Sequence, residues 1–350
     1  MQSLSGKFLG VMSGTSLDGL DLALCEFTDA MKGKFEVLNG ITVQYGPDLV
    51  QRLHEAERLD GLGLTTLSND LAVFIAQQID KHFEGEFIIA SHGHTVFHQP
   101  EKRLTLQIGN PAVIAALTGR TVVADFRTQD VALEGQGAPL VPIGDKYLFG
   151  QYESCLNLGG IANVSYDVEG KRLAGDLGAC NMVLNRLSKR MGFAFDDGGQ
   201  IARTGHVDRY LLGQLNDLPF WRKKFPKSLG KEWVDHHVFP LLQDADLGLA
   251  DLMRTYTEHI GFQIGNALPS GKCLVTGGGT WNTFLVDCIR AHSEAELIVP
   301  DRMMVDFKEA IIFAFLGLLR VHGVTNVECS VTGGPYNLVA GGVYHGQPST

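Results

Sequence analysis

The sequence predicts an α/β protein built as two lobes of duplicated design. Its 350 residues are too many for one ordinary core and suit two lobes that each bury an apolar centre. Its composition, 45% hydrophobic with 42 glycines and only 19% charged residues, describes a compact, loop-rich α/β chain rather than a disordered or fibrous one. The layout strand, glycine turn, strand occurs at residues 8–27 and again at 155–168, about half a chain apart.

In the first copy the apolar runs Phe8–Met12 and Leu20–Phe27 flank Ser13, Gly14, Thr15, Ser16, Leu17, Asp18 and Gly19, which reads as two antiparallel strands joined by a polar hairpin. The turn carries groups that suit phosphate. Gly14 and Gly19 admit positive φ and let N–H groups turn inward, Ser13, Thr15 and Ser16 add hydroxyls, and Asp18 can orient Mg²⁺ or its waters. An ordinary Ser/Gly/Asp hairpin is the plainer alternative for this stretch alone.

Phe35–Val43 reads as a third strand, and Asp48–Leu59 and Leu64–Glu84 carry helical spacing. The strand Phe87–Ala90 is expected to run into a polar turn, Ser91–Thr95, at the strand end where open α/β sheets place ligands. His92, His94 and His98 invite a zinc reading, but there is no H-E-x-x-H and no carboxylate in step with them, so hydrogen-bonding imidazoles that shape a pocket are expected instead. Ala112–Leu117 is a short helix and Thr121–Ala124 a buried strand. Arg127 either clamps a substrate carboxylate or pairs with Asp125 or Asp130. The Gly/Pro-rich passage Glu134–Leu140 is the expected boundary and hinge, giving a first lobe of 1–133 completed by about 310–350 and a second of 134–309.

The second lobe opens with a strand, Cys155–Leu158, a turn, Gly159–Asn163, and another strand, Val164–Val168; two such hairpins suggest nucleotide held between duplicated halves. Lys171–Ala174 leads into Gly175–Gly178, and a helix begins at Asn181, so Asp176 is expected at a strand end as a capping carboxylate or a catalytic base. Phe220–Trp233 concentrates Arg222, Lys223, Lys224 and Lys227 and reads as a solvated basic face. Helical spacing follows over Leu249–Ala267. The strand Cys273–Thr276 then enters Gly277, Gly278 and Gly279 ahead of a helix, a third glycine turn after a strand, which lets backbone approach a nucleotide. Glu309 lies in the first turn of the apolar helix Ala310–Leu319, where the helix dipole is a sufficient explanation and substrate binding the alternative. Val327–Val331 reads as a last strand, and the tail is expected to rejoin the first lobe.

A formal charge of −10 disfavours nucleic acid and anionic membranes as partners. Six cysteines without C-x-x-C pairing point to reduced thiols and the cytoplasm. The amino terminus lacks secretory-signal features, and the most apolar stretch is about half of what a membrane span needs.

The whole chain resembles the anhydro-N-acetylmuramic acid kinases of the actin–hexokinase–Hsp70 ATPase superfamily, whose lobes are ribonuclease H-like. The matching segments are MSGTSLDGLD at 12–21, SHGHTVFHQP at 91–100, TLQIGN at 105–110, VVADFRTQDVALEGQGAPLVP at 122–142, LNLGGIANVS at 156–165 and the GGG turn at 277–279. FPKSLGKEW at 225–233 and FKEAIIFAF at 307–315 match more loosely. The resemblance implies an ATP- and Mg²⁺-dependent enzyme that opens the 1,6-anhydro ring of 1,6-anhydro-N-acetylmuramic acid with water and phosphorylates O6, in cell-wall recycling. It implies that Ser13, Gly14, Thr15, Asp18, Gly159, Gly160, Gly277, Gly278 and Gly279 surround the nucleotide and metal, with Asp18 toward Mg²⁺. Asp176 resembles the catalytic base, and Thr95, Arg127 and Glu309 the sugar contacts. Lobe closure and a homodimer are also implied. This chain departs from the family at GDLGACN, residues 175–181, where a D-T-G-P-x-N type sequence is common, and at His94, where glutamine is usual. The alternatives are a kinase of the same fold acting on another amino sugar, a chaperone-like nucleotide-driven binding protein, and a zinc hydrolase.

Overall fold

Glycines decide how closely helices approach the first sheet. In the computed structural model, which describes residues 3–14 and 17–346, a Cβ on Gly10 would lie 1.7 Å from the carbonyl oxygen of Ala310, so only glycine lets the helix Arg302–Val321 rest on that strand. The chain divides into two units, one running to Gly150 and resuming at Phe307, the other Gln151–Asp306.

The first unit is built on strands β1 (Gly6–Ser13), β2 (Leu20–Asp29), β3 (Lys34–Val43), β4 (Ile88–Gln99), β5 (Leu104–Ile108) and β6 (Val122–Ala124), with a terminal strand, Gly342–Tyr344, in a seven-stranded sheet. β1 pairs antiparallel with β2, and β2 with β3; β4 runs parallel to β1, and β6 parallel to β4. Leu9, Val11 and Leu22 pack with Leu71 and Ile75 of the helix Gly61–His82 and Ile114 of the helix Pro111–Thr118. Helix Arg302–Val321 is apolar on nearly every side because most of it is buried, including Ile311, Phe313 and Phe315.

The second unit carries β7 (Ser154–Leu158), β8 (Ile161–Val168), β9 (Lys171–Ala179), β10 (Gly271–Thr276) and β11 (Ala295–Ile298) in the order β11-β10-β7-β8-β9. Here too three antiparallel strands, β7-β8-β9, are extended by parallel β10 and β11. The order and sense repeat β3-β2-β1-β4-β6 of the first unit, so the duplication expected from the two glycine hairpins is present. Its core joins Leu156, Val164, Val183, Tyr256, Ile260 and Leu285.

Several local expectations are corrected. Ser91–Thr95 is not a turn: β4 continues through it, pairing with β6 up to Ser91, with β1 up to His94 across a register shift, and with β5 from His94. Gly93, at φ +74°, makes the junction, and a Cβ there would lie 2.5 Å from the carbonyl oxygen of Ile108. In the same way β8 begins at Ile161, which leaves a turn of only Gly159 and Gly160. Asp176 lies within β9 rather than at its end, because pairing with β8 skips Leu177 as a bulge and then resumes. Val327–Val331 is not a strand: Cys329–Thr332 is a short helix, and Val327 makes one bridge to Leu338. The buried Asn326 side chain replaces strand pairing there, donating to the carbonyls of Leu316 and Ala340 and accepting from the Ala340 N–H. Residues 134–140 belong to the first unit, where the Gln136 N–H donates to the carbonyl of Thr332. Among the described residues no helix is long and apolar enough to cross a membrane, and all six cysteines are free.

Candidate active site

In the first unit the β1–β2 hairpin carries the turn that the sequence marks for phosphate. The Leu17 N–H donates to the carbonyl of Gly14 over 3.3 Å, and Leu17 itself adopts φ +57°. Thr15 and Ser16 lie outside the described residues. The hydroxyl of Ser13 is already engaged: it accepts from Tyr45 Oη at 2.7 Å and lies 3.0 Å from His94 Nδ1. Burial pushes the Tyr45 phenol up to about 12, so the tyrosine keeps its proton and donates it to Ser13. Burial lowers the His94 pKa, and the main chain of Ser13 partly offsets it. Asp18 is exposed, and its main-chain carbonyl accepts from Gln44 Nε2 at 2.7 Å.

Arg127 follows β6. Its Nε–H donates to His92 Nε2 over 2.9 Å and its Nη1 to the carbonyl of Gly137 over 2.6 Å. The ion pairs with Asp125 or Asp130 that the sequence left open are not formed. Asp125 accepts from the Thr128 N–H, and the fully buried Asp130 accepts from the Gly137 N–H and the Thr332 hydroxyl. Burial lowers the Arg127 guanidinium to about 10, and the negative charge of Glu309 partly offsets it. Part of Glu309 reaches water, yet the protein around it raises its carboxyl, while Arg127 and Lys308 pull it back and Asp18 and Asp145 oppose them. Thr95 on β4 accepts from Gln107 Nε2 at 3.3 Å. The three imidazoles each hold a protein partner, His98 Nδ1 lying 3.1 Å from the Thr105 hydroxyl. Among the described residues no cluster of three or more His, Cys, Asp or Glu is arranged to hold a metal.

In the second unit two glycine turns sit at the carboxyl ends of neighbouring parallel strands, β7 and β10. The carbonyls of Gly159 and Gly160 accept from the N–H groups of Asn181 and Cys180 at the start of the helix Asn181–Lys189. Gly277, at φ +86°, would place a Cβ 2.4 Å from Asn157 Oδ1, and Gly279 one 2.8 Å from the Leu158 carbonyl oxygen. Gly278 faces open space, and the buried hydroxyl of neighbouring Thr280 has no partner among the described residues. A bare backbone surface beside an unsatisfied hydroxyl fits a nucleotide.

Asp176 is held by the segment 225–229. Its N–H donates to the Lys227 carbonyl, and its Oδ2 accepts from the Leu229 N–H at 2.8 Å and the Ser228 hydroxyl at 3.3 Å. Gly175 makes this possible, since a Cβ there would lie 2.7 Å from the Phe225 ring. Oδ1 has no protein partner among the described residues. Burial raises the Asp176 pKa, and the two donors to Oδ2 partly offset it. Lys227 does not join a solvated basic face: it donates to the Phe220 carbonyl and lies 4.4 Å from that ring's centre. The residues missed from sequence are thus Tyr45, Ser228 and Leu229, and for His92 its bond to Arg127. The only signal for Ser228 and Leu229 was the loosely matching FPKSLGKEW.

Two α/β units of repeated strand order, with glycine turns on parallel strand ends, form the duplicated architecture of a nucleotide-using kinase of the actin–hexokinase type. The anhydro-N-acetylmuramic acid kinase model matches residues 6–346, and the chain belongs to that family. An anhydro-N-acetylmuramic acid kinase from Pseudomonas syringae pv. syringae is 34% identical over 370 residues, covering 96% of this chain and 98% of the relative. Those from Vibrio cholerae (34% identical, covering 97% and 98%) and Sulfurovum sp. (33%, covering 97% and 99%) are similar over the same span. More distantly, the chain resembles the ADPNP-bound activator of 2-hydroxyisocaproyl-CoA dehydratase from Clostridium difficile. That likeness has a TM-score of 0.42 at 11% identity and covers 91% of this chain and 97% of that one.

Proposed function

We propose that this protein uses ATP and one water molecule to convert 1,6-anhydro-N-acetylmuramic acid into N-acetylmuramic acid 6-phosphate and ADP. The observation that carries the reading is Asp176, a carboxylate with one oxygen fixed by two donors and the other left for a water, in a chain matched to this family from residue 6 to 346. Asp176 takes the proton of the water that attacks the anomeric carbon. The bond from that carbon to O6 breaks, and O6 accepts the γ-phosphoryl group. A positioned base matters because loose water near ATP would hydrolyse it without product.

Gly14, Thr15, Gly159, Gly160, Gly277, Gly278 and Gly279, with the backbone of Ser13, hold the nucleotide in this reading. Asp18 suits Mg²⁺, which commonly takes one carboxylate with waters and phosphates and which neutralises phosphate charge when bound. Arg127, Glu309 and Thr95 hold the sugar, Arg127 through its carboxylate. The two units are the two lobes of the kinase. A cytoplasmic homodimer that binds neither nucleic acid nor membrane completes the reading, supported by the family, the free thiols and the charge of −10.

The test is product analysis by mass spectrometry with Mg²⁺-ATP and the anhydro sugar in ¹⁸O-labelled water. Label at the anomeric oxygen of a sugar 6-phosphate, with none in the phosphate, is the expected result. Labelled inorganic phosphate and ADP without sugar phosphate would overturn the substrate assignment.

A further inference from the structure

Arg127 is unusually constrained for a residue that meets a ligand. Two of its three nitrogens are engaged within the first unit, Nε with His92 Nε2 at 2.9 Å and Nη1 with the Gly137 carbonyl at 2.6 Å. The Gly137 anchor is itself fixed, because its N–H donates to Asp130 Oδ2 at 2.7 Å and Asp130 Oδ1 accepts from Thr332 Oγ1 at 2.9 Å. Nη2 makes no hydrogen bond among the described residues.

The His92 bond dictates a tautomer. An arginine Nε always carries its proton, so His92 Nε2 must accept, and the ring proton must sit on Nδ1, which lies 2.9 Å from the Gly93 carbonyl. His92 is 5% exposed, and its ring lies 4.7 Å from that of Phe313, so packing leaves it little freedom to turn. Burial holds the imidazole neutral, and the Arg127 charge acts in the same direction.

We propose that His92 is a positioning residue that locks the Arg127 guanidinium with its Nη2 edge presented to the carboxylate of the sugar, and so sets the preference for acidic over neutral anhydro sugars. The proposal rests on the sugar-kinase reading above. Its mechanism is geometric: a planar guanidinium pinned at Nε and Nη1 cannot rotate its remaining edge away, so less freedom is lost when an anion binds.

The test compares wild type, His92→Gln, His92→Leu and Arg127→Met. Three quantities are measured for each: the Michaelis constant for the acidic anhydro sugar, the Michaelis constant for ATP, and competitive inhibition by the neutral sugar 1,6-anhydro-N-acetylglucosamine, which lacks the carboxylate. Expected for His92→Leu is a rise of about tenfold or more in the acidic sugar's KM, the scale of a hydrogen bond to a charged group. The KM for ATP and the neutral sugar's inhibition constant should be unchanged. His92→Gln, which keeps an acceptor, should recover most of the loss, and His92→Leu should add nothing in an Arg127→Met background. Equal losses for both sugars, or additive losses with Arg127→Met, would overturn the proposal. Should His92→Leu not fold, ¹⁵N-histidine NMR on wild type decides: the Nδ1–H tautomer is required, and Nε2–H refutes it. If wild type does not phosphorylate the acidic sugar at all, the substrate reading fails, while the tautomer still reports on the His92–Arg127 bond.

Discussion

The main-chain N–H of Leu229 donates to Oδ2 of Asp176 over 2.8 Å, joining residues 53 apart in sequence. An asparagine can accept the same bond through its amide oxygen, so Asp176→Asn should fold normally. It cannot take a proton from water. Turnover is expected to fall by at least about 10²-fold while ATP binding by calorimetry stays near wild type. Wild-type turnover would remove Asp176 from the chemistry.

The same contacts set a pH limb. The active form of a base is ionised, so kcat/KM should fall as pH drops through the Asp176 pKa, which burial raises and the donors from Leu229 and Ser228 lower. Removing a donor to the charged form raises the pKa. Ser228→Ala should therefore move the acid limb to higher pH, and an unmoved profile would show that another group controls it.

How much of this was legible in the chain follows from what each residue does locally. The hairpins at 8–27 and 155–168 were readable because glycine turns break apolar runs, and the shared strand order confirms the duplication behind them. The helix over Ala310–Leu319 was readable as buried, though it runs from Arg302 to Val321. Ser91–Thr95 was not readable as strand, because polar residues on both faces erase the period-two pattern that marks a half-buried strand. The clamp on Asp176 was hidden for another reason: its donors come from a distant loop, and one of them is backbone, which no residue type announces. His92 was visible as a pocket histidine but not as the partner of Arg127, since their bond spans 35 residues.

Gly277 and Gly278 should separate folding from ligand binding. Gly277→Ala adds a Cβ 2.4 Å from Asn157 Oδ1 at a φ of +86°, so a loss of about 1–3 kcal/mol and a raised KM for ATP are expected. Gly278→Ala meets no atom within 4 Å, so its melting temperature should not change. If Gly278 borders the nucleotide, its KM for ATP should nevertheless rise. Unchanged KM and unchanged melting together would place Gly278 away from the nucleotide.

Lys308 and Asp145 form a buried ion pair at 2.7 Å, with side chains 6% and 4% exposed. Removing one partner takes the ion-pair contact from the other buried charge, so Lys308→Met should cost about 3–5 kcal/mol in chemical denaturation. Adding Asp145→Asn should cost less than the sum of the single losses, because both substitutions remove the same contact. Strict additivity would mean that the contact between them contributes nothing to stability.

His259 gives the fold an acid sensitivity separate from the chemistry. It is fully buried against Trp221 and Tyr256, its Nδ1 lies 2.7 Å from Asn216 Oδ1, and Nε2 has no partner among the described residues. Burial drives its pKa from 6.5 to about 3. The unfolded chain therefore takes up a proton below about 6.5 that the folded chain refuses, so this residue's share of stability is complete above that pH and is lost as pH falls toward 3. Between pH 7 and pH 5 the loss is about 2 kcal/mol. His259→Gln keeps a donor for Asn216 but cannot titrate, so denaturation at the two pH values should show a smaller difference than wild type by about that amount. An equal difference in both proteins would mean that His259 is protonated in the folded state.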